Sequence, residues 1–194
     1  GAIYALIALG YTMVYGIAKM LNFAHGDVIM VGAYALLVTL NLQGHIALGV
    51  VVSVVVCTVA GIVIEKLAYK PLRGASPLAV LITAIGVSYL LQSVSQLIFG
   101  AAPQPITIGN FGTVNLFGAE ISTSTILTLV VGAVIMAALT VFIKKTRTGR
   151  AMVAVSEDRG AALLMGINVN RIIMITFAIG SALAACASVF YLMQ

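Results

Sequence analysis

A chain of 194 residues that is 62% hydrophobic and only 8% charged has too few polar side chains to cover a water-soluble domain. Soluble domains carry roughly 25% charged residues. The mean hydropathy of +1.18 also predicts an integral membrane protein. The net charge of +5 does not indicate nucleic-acid binding, because the basic residues form no patch on a soluble module.

Apolar segments in chain order predict an all-α, polytopic transmembrane helical bundle. A helix perpendicular to the membrane needs about 20 residues to cross a hydrocarbon core of about 30 Å. Six apolar segments predict about six spans, although the first two segments are shorter than the others. The segments lie at about 2–18, 28–42, 46–64, 78–99, 122–143 and 172–194.

The ends of the sequence and its cysteines suggest one membrane domain. The chain opens directly into its first apolar segment and stops inside its last, so we expect 1–194 to be a single domain truncated at both ends. Cys57 and Cys186 both lie in apolar segments, where small packing residues are a better explanation than a disulfide. No Cys/His cluster has metal-ligand spacing, and no metal site is expected.

The basic residues predict the orientation. All ten fall on alternate loops, whereas the loops around 43–45 and 100–121 have none. Cytoplasmic loops are enriched in Lys and Arg, so the basic loops are expected inside the cell. They carry Lys19; then Lys66, Lys70 and Arg73; then Lys144, Lys145, Arg147, Arg150, Arg159 and Arg171.

Small residues recur every four positions in three of the segments, which lets helix backbones approach closely in a membrane. These rows predict helix packing and say nothing about a substrate. The rows are Gly49, Ser53, Cys57 and Gly61, with Glu65 continuing them; Gly180, Ala184 and Ser188; and Ala8, Thr12 and Gly16.

Residues 21–27, LNFAHGD, place Asn22, His25 and Asp27 between two short apolar segments. Short interrupted segments point to a discontinuous helix beside a transport pathway, with these side chains facing water. The alternative is a cytoplasmic turn in which Asp27 caps the following helix. A membrane enzyme that uses His25 and Asp27 as an acid/base pair is a further possibility.

The fourth segment carries a second polar stripe. At 100° per residue, Ser88, Gln92 and Ser95 fall on one helix face. Polar groups in hydrocarbon are expected to face the bundle interior or a water path. The alternative is interhelical hydrogen bonding, which contributes about 0.6 kcal/mol per pair on average.

The loop at 100–121, expected outside the membrane, contains two Pro residues and several Gly-separated β-prone pieces. These features predict a small hairpin or an extended flap from 106–108 and 114–117. The loop is equally compatible with a docking surface for an external binding protein and with an ordered cap over the helices.

The cytoplasmic loop at 144–171 predicts a short helix at about 157–165. Ser156 is the expected N-cap, Glu157 and Asp158 favour the first turn, and Gly166 is suited to the position after the helix. It is expected to display Ala161, Ala162, Leu163, Leu164 and Met165. These apolar residues need a surface, which could be the membrane, the bundle or a partner protein. No nucleophile is paired with a base here, so no catalytic residue is predicted.

Five segments taken together resemble the permease subunits of branched-chain amino acid ABC importers, most closely the H-type subunit. The segments are YALIALGYTMVYGI, LNFAHGD, YKPLRG, ITAIGVSYLLQ and TRTGRAMVAVSEDRGAALLMGINVNRI. In this resemblance Ala161, Ala162 and Gly166 match an Ala-Ala-xxx-Gly coupling motif, although Gly160 replaces the acidic residue of some importers. It implies a coupling helix at 156–167 that binds the ATPase through Ser156, Glu157, Asp158, Arg159, Ala161, Ala162, Leu163, Met165, Gly166 and Ile167.

The resemblance implies a multi-pass permease of a prokaryotic plasma membrane that drives amino acid import with ATP. The chain has no phosphate-binding loop, so ATP is expected on a separate subunit and no cofactor on this one. The implied partners are cytoplasmic ATPase subunits, a second permease subunit, an extracytoplasmic substrate-binding protein and membrane lipid, without nucleic acid. A urea or short-amide permease, and an ion-driven transporter or channel, are alternatives.

Overall fold

The computed structural model describes residues 1–42, 44–104, 112–116 and 119–193. Most of these residues are helical, as the apolar pattern predicts. The helices are α1 (Ala2–Ala18), α2 (His25–Asn41), α3 (Ile46–Ile64), α4 (Pro77–Phe99), α5 (Thr123–Lys145), α6 (Arg147–Glu157), α7 (Arg159–Leu164) and α8 (Val169–Leu192). A π-helical turn at Glu65–Tyr69 and a 3₁₀ turn at Lys70–Leu72 extend α3, and β1 (Thr113–Leu116) pairs with β2 (Ala119–Ser122).

Four helices in the described part of the chain are long and apolar enough to cross a membrane. They are α3 with its extension, of 27 residues, and α4, α5 and α8, of 23, 23 and 24 residues. The apolar helices α1 and α2 have 17 residues each, at the lower end of the range for a span. The all-α polytopic architecture is confirmed, whereas six crossings remains a prediction.

Helix α8 is the centre of the bundle, surrounded by α1, α2 and α3. Its side chains Ile173, Phe177 and Ala184 are almost fully buried. The backbones pack so closely that a Cβ at Gly61 would overlap the Ser181 side chain, and one at Gly180 would lie 2.6 Å from Val14 Cγ2. Small residues therefore set the distance between these helices.

The small-residue rows of α3 and α8 are buried as predicted. The row predicted in α1 is wrong, because Ala8 and Thr12 are exposed. The close approach in α1 is made by Gly10, where an added Cβ would lie 3.2 Å from the Gly180 carbonyl oxygen.

The π-helical turn continues the buried face of α3 beyond its last α-helical residue. Glu65 and Tyr69 follow Gly61 at intervals of four residues, and both are almost fully buried. A π turn changes the angular position of the side chains that follow it. An acid and a phenol therefore lie in the interior at the predicted cytoplasmic end of the bundle, at the first and last residues of the turn.

The outer helices α4 and α5 have fewer neighbours and expose most of their surfaces. The loop contains a hairpin, with Thr113 opposite Ser122 and Leu116 opposite Ala119, but its strands are not the two pieces predicted from the sequence. Of its two predicted strands, only the second corresponds to an observed one, because 106–108 lies outside the described residues. The predicted piece at 114–117 overlaps β1 (Thr113–Leu116), and its partner β2 (Ala119–Ser122) is not among the predicted pieces.

Candidate functional site

The LNFAHGD segment is a true interruption between two helices. Helix α1 ends at Ala18, and Lys19 adopts a left-handed conformation with φ of +52° while its N–H donates to the Tyr15 carbonyl. Helix α2 begins at His25. Because left-handed backbone is unfavourable for a residue with a Cβ, the surrounding structure has to hold Lys19 in place.

The three polar side chains of the break are buried, which corrects the prediction that they face water. Asn22 is 5% exposed, His25 3% and Asp27 8%. Buried polar groups are costly unless they are hydrogen-bonded. Their partners therefore determine what the break does.

Asp27 joins the polar stripe of α4, which brings two of the sequence-predicted groups together. Its Oδ1 accepts a hydrogen bond from Gln92 Nε2 at 2.9 Å, and its Oδ2 accepts one from Ser88 Oγ. Gln92 Nε2 also lies 3.2 Å from Ser88 Oγ. Ser95 is buried on the same helix.

The alternative role predicted for Asp27, capping α2, is wrong. No side chain caps the start of α2, where Ala24 occupies the N-cap position. Asp27 lies in the first turn, where its charge still favours the helix dipole. Its hydrogen bonds, however, go to α4 rather than to its own backbone.

His25 occupies a notch formed by a glycine. Its ring packs so close to Gly10 that an added Cβ would lie 3.0 Å from His25 Cε1, and Tyr11 approaches edge-on with ring centroids 6.2 Å apart. Within the described residues, His25 Nε2 is buried without a hydrogen-bond partner. No hydrogen bond joins His25 to Asp27 in this part of the chain, so they do not form the arrangement of an acid/base pair.

Gly26, between the two buried side chains, lines a cavity of about 380 Å³. The cavity runs between α2 and α8, and most of its wall is apolar. Its polar side chains are Tyr34, Gln104, Ser188 and Tyr191. The break therefore presents backbone, rather than His25 or Asp27, to the accessible space.

Two further contacts hold the break from the predicted cytoplasmic side. The Tyr69 hydroxyl donates to Asn22 Oδ1 at 3.1 Å, and the Tyr69 ring packs on Phe177 of α8 with centroids 5.2 Å apart. The Arg159 guanidinium donates to the Ala18 carbonyl at the end of α1. The break is thus hydrogen-bonded to the extension of α3, to α4 and to α7.

Sequence reasoning missed Tyr69, Glu65 and Arg73 as members of this network. Arg73 forms an ion pair with the buried Glu65 and also donates to Asn170 Oδ1 near the start of α8. The available signal was Glu65, because it continues the small-residue row of α3 at a position where a buried acid needs a partner.

The predicted cytoplasmic helix is shorter than expected and has a different N-cap. Ser156 belongs to the end of α6, where its Oγ donates to the Val153 carbonyl, so its predicted capping role is wrong. Asp158 caps α7 instead, accepting hydrogen bonds from Gly160 N at 2.7 Å and Ala161 N at 3.0 Å. Gly166 follows α7 with φ of +81°, as predicted for a residue that closes a helix.

The surface of α7 is strongly apolar. Leu163 is 62% exposed, Leu164 90% and Met165 82%, whereas the predicted display of Ala162 is wrong because that side chain is buried in the core. Glu157, Asp158 and Ala161 are exposed, and Ser156 and Ile167 are partly buried. The exposed apolar side chains have no covering partner among the described residues.

Arg159 points away from this surface, towards the bundle. It is partly buried, and its desolvation, followed by the nearby charge of Arg73, lowers the pKa of its guanidinium from its ordinary value. Arginine nevertheless stays charged at neutral pH. Its hydrogen bond to Ala18 places it in the network of the break.

Comparison of the sequence with known proteins identifies the family of the chain. The family described as branched-chain amino acid transport system, permease component, matches residues 1–194. This chain belongs to that permease family. No solved structure matches the chain significantly.

Curated members of the permease family align along nearly the whole chain. The high-affinity branched-chain amino acid transport system permease protein BraD of Pseudomonas aeruginosa is 44% identical over all of the chain and 68% of its own length. LivH of Escherichia coli K12 is 42% identical over 97% of the chain and 66% of its own length. The probable LivH of Methanocaldococcus jannaschii is 31% identical over 94% of the chain and 60% of its length. The chain thus spans about two thirds of these permeases.

Proposed function

We propose that the chain is the membrane-spanning part of a permease subunit in an ATP-driven importer of the prokaryotic plasma membrane. Branched-chain amino acids are the proposed substrate class, because the names of BraD and LivH give that class for these relatives. In this proposal α7 is the coupling helix, and the break in LNFAHGD borders the translocation route.

The exposed apolar surface of α7 carries the proposal. Leu163, Leu164 and Met165 project from a short helix that is capped at both ends and whose connecting loop bears the positive charges typical of a cytoplasmic segment. Burying such side chains in a groove stabilises a complex by about 1.5–3 kcal/mol for each one fully buried. A cytoplasmic ATPase subunit is the partner that this surface is proposed to bind.

The break and its cavity support the substrate side of the proposal. The cavity of about 380 Å³ beside Gly26 has a mostly apolar wall, which suits an aliphatic side chain. Asp27, Ser88 and Gln92 hold the backbone of the break behind this wall. The second permease subunit would complete the route, and the hairpin at 113–122 is the proposed contact for a substrate-binding protein.

The test is reconstitution of the complete permease with its ATPase, second permease and binding protein in sealed vesicles. Leu163→Asp places a charge in the proposed groove contact, and Gly166→Val strains the left-handed residue that ends α7. Both variants are expected to insert normally, to lose ATPase in a pull-down and to lose ATP-dependent leucine uptake.

Val153→Asp is the matched control, because Val153 is also exposed but lies on α6. It is expected to keep ATPase association and uptake. Normal ATPase binding and uptake in both α7 variants would refute the coupling-helix assignment. Uptake of urea in place of leucine, isoleucine and valine would refute the proposed substrate class.

A further inference from the structure

Arg159 connects α7 to the end of α1. The last carbonyls of a helix lack partners within the helix and carry a partial negative charge, so a cation placed there is favourable. The guanidinium of Arg159 reaches the Ala18 carbonyl across 141 positions of sequence. Ala18 immediately precedes the left-handed Lys19, where the break begins.

The break has separate attachments along its length. Arg159 holds its beginning, Tyr69 holds Asn22 in its middle, and Ser88 and Gln92 hold Asp27 just after its end. Of these attachments, only Arg159 belongs to the helix proposed to bind the ATPase. A displacement of α7 would therefore reach the start of the break through this side chain.

Arg159 is partly removed from water although an arginine on a short surface helix need not be. Desolvation and the charge of Arg73 both disfavour the charged form of the guanidinium, so its pKa is lowered. A surface arginine on a six-residue helix could remain in water, as exposed Arg150 does on α6. Arg159 instead forms a charge-assisted hydrogen bond with a carbonyl that α1 cannot pair internally.

We infer that Arg159 is a positioning residue that transmits the movement of α7 to the helix break, and so couples ATP hydrolysis to opening of the route. The inference rests on the proposed function, since it requires α7 to bind the ATPase. It assigns to Arg159 a role inside the permease rather than in the ATPase contact expected from the sequence resemblance.

The test compares Arg159→Met, which keeps an apolar stem but removes the donors, with Arg159→Lys, which keeps charge and a donor. Arg150→Met is the matched control on an exposed arginine. In the complete reconstituted importer, Arg159→Met is expected to retain the ATPase in a pull-down and to hydrolyse ATP. Leucine uptake per ATP is expected to fall about ten-fold or more, within the usual range of coupling between sites. Arg159→Lys should restore part of the ratio, and Arg150→Met should leave it unchanged.

A distance measurement provides a readout that a purely structural role would not change. Spin labels at Gly160 and Leu21, both exposed, report the separation of α7 and the break. With Arg159 present this separation is expected to stay constant between nucleotide-free and ATP-bound complexes, and to change with nucleotide in Arg159→Met.

Three outcomes would overturn the inference: unchanged uptake per ATP in Arg159→Met, a loss of ATPase association equal to that of Leu163→Asp, or a wild-type separation that already changes with nucleotide. Failure of the proposed function has a different signature. In that case Leu163→Asp itself retains ATPase and uptake, whatever Arg159→Met does.

Discussion

The helix break and α7 place their side chains in opposite ways. In the break, Asn22 and Asp27 are polar and at most 8% exposed, whereas on α7 Leu164 and Met165 are apolar and at least 82% exposed. Each arrangement is unfavourable by itself, since buried polar groups need hydrogen bonds and exposed apolar clusters favour association. The difference lies in where the partner is found.

The partners of the break lie within this chain, and those of α7 do not lie among the described residues. Tyr69 hydrogen-bonds to Asn22, and Ser88 and Gln92 hydrogen-bond to Asp27, from two other helices. The break is therefore held by tertiary hydrogen bonds, and a substitution that removes them should lower stability as well as transport. The surface of α7 should affect association while leaving the fold intact.

The largest expected effect is an all-or-none difference in cysteine labelling. It tests whether the basic loops, including α7, lie on the cytoplasmic side of the membrane. Cysteines at His45, Gly74 and Leu164, all exposed, are tested with a membrane-impermeant maleimide in sealed, right-side-out cells. His45→Cys is expected to react, and Gly74→Cys and Leu164→Cys only after permeabilisation, because Lys and Arg concentrate on cytoplasmic loops.

The unmodified protein is the control for this labelling, since its own cysteines lie in apolar helices, one buried and one partly buried. Labelling of Leu164→Cys from outside would contradict the orientation. It would also remove α7 from the reach of a cytoplasmic ATPase.

The second prediction concerns the stability contributed by Asp27. Asp27→Leu leaves the partly buried donors of Ser88 and Gln92 without their carboxylate, and a fully buried unsatisfied group costs about 1–3 kcal/mol. Because Ser88 and Gln92 still contact each other, we expect a loss of about 2 kcal/mol. The readout is the temperature at which half of the detergent-solubilised permease remains monodisperse.

Asp27→Asn separates transport from assembly at this position. It keeps one acceptor and should assemble, yet we expect it to reduce uptake because the charge that orders Ser88 and Gln92 is lost. Gln92→Leu should destabilise the protein, and Gln96→Leu, at an exposed position one turn away, is its matched control. Equal stability of the Gln92 and Gln96 variants would show that the α4 stripe does not support the break.

Much of the fold follows from local pattern, whereas the pairing of polar groups does not. The bounds of α1 and α3 follow directly from their apolar runs. The 100° spacing places Ser88 and Gln92 on one face, and both make the interhelical hydrogen bonds that the sequence left as an alternative. That Asp27 would meet this face depends on how α2 crosses α4, which no local spacing specifies. The hydrogen bond from Tyr69 to Asn22 likewise depends on a π turn, which the sequence pattern does not predict.

The error at Ser156 has a local physical cause. Ser156 and Asp158 are both good N-cap residues, and the basic residues before them resembled a loop. Burial of Met152 and Val155 keeps α6 helical through Ser156, and the chain becomes extended only at Asp158, with φ of −149°. Tertiary burial therefore selected between two locally equivalent caps.

The smallest expected effect is on the stability of the isolated permease when the α7 surface is made polar. Leu164 and Met165 are so exposed that Leu164→Ser with Met165→Ser removes little buried apolar area, so the free energy of unfolding should change by no more than about 0.5 kcal/mol. Leu163 is left intact so that its partial packing does not contribute. The same double variant should weaken ATPase association at least ten-fold, because two apolar side chains no longer enter the proposed groove.

Thermal denaturation of the permease alone and titration of the ATPase onto it in nanodiscs measure the two quantities on one sample. Phe177→Ala is the opposite control, since that side chain lies inside the bundle and its loss should lower stability by about 3–5 kcal/mol. A double variant that loses stability as Phe177→Ala does would show that α7 packs on its own bundle. One that binds the ATPase as tightly as the wild type would show that the α7 surface is not the ATPase contact. In either case the contrast between the two regions would no longer hold.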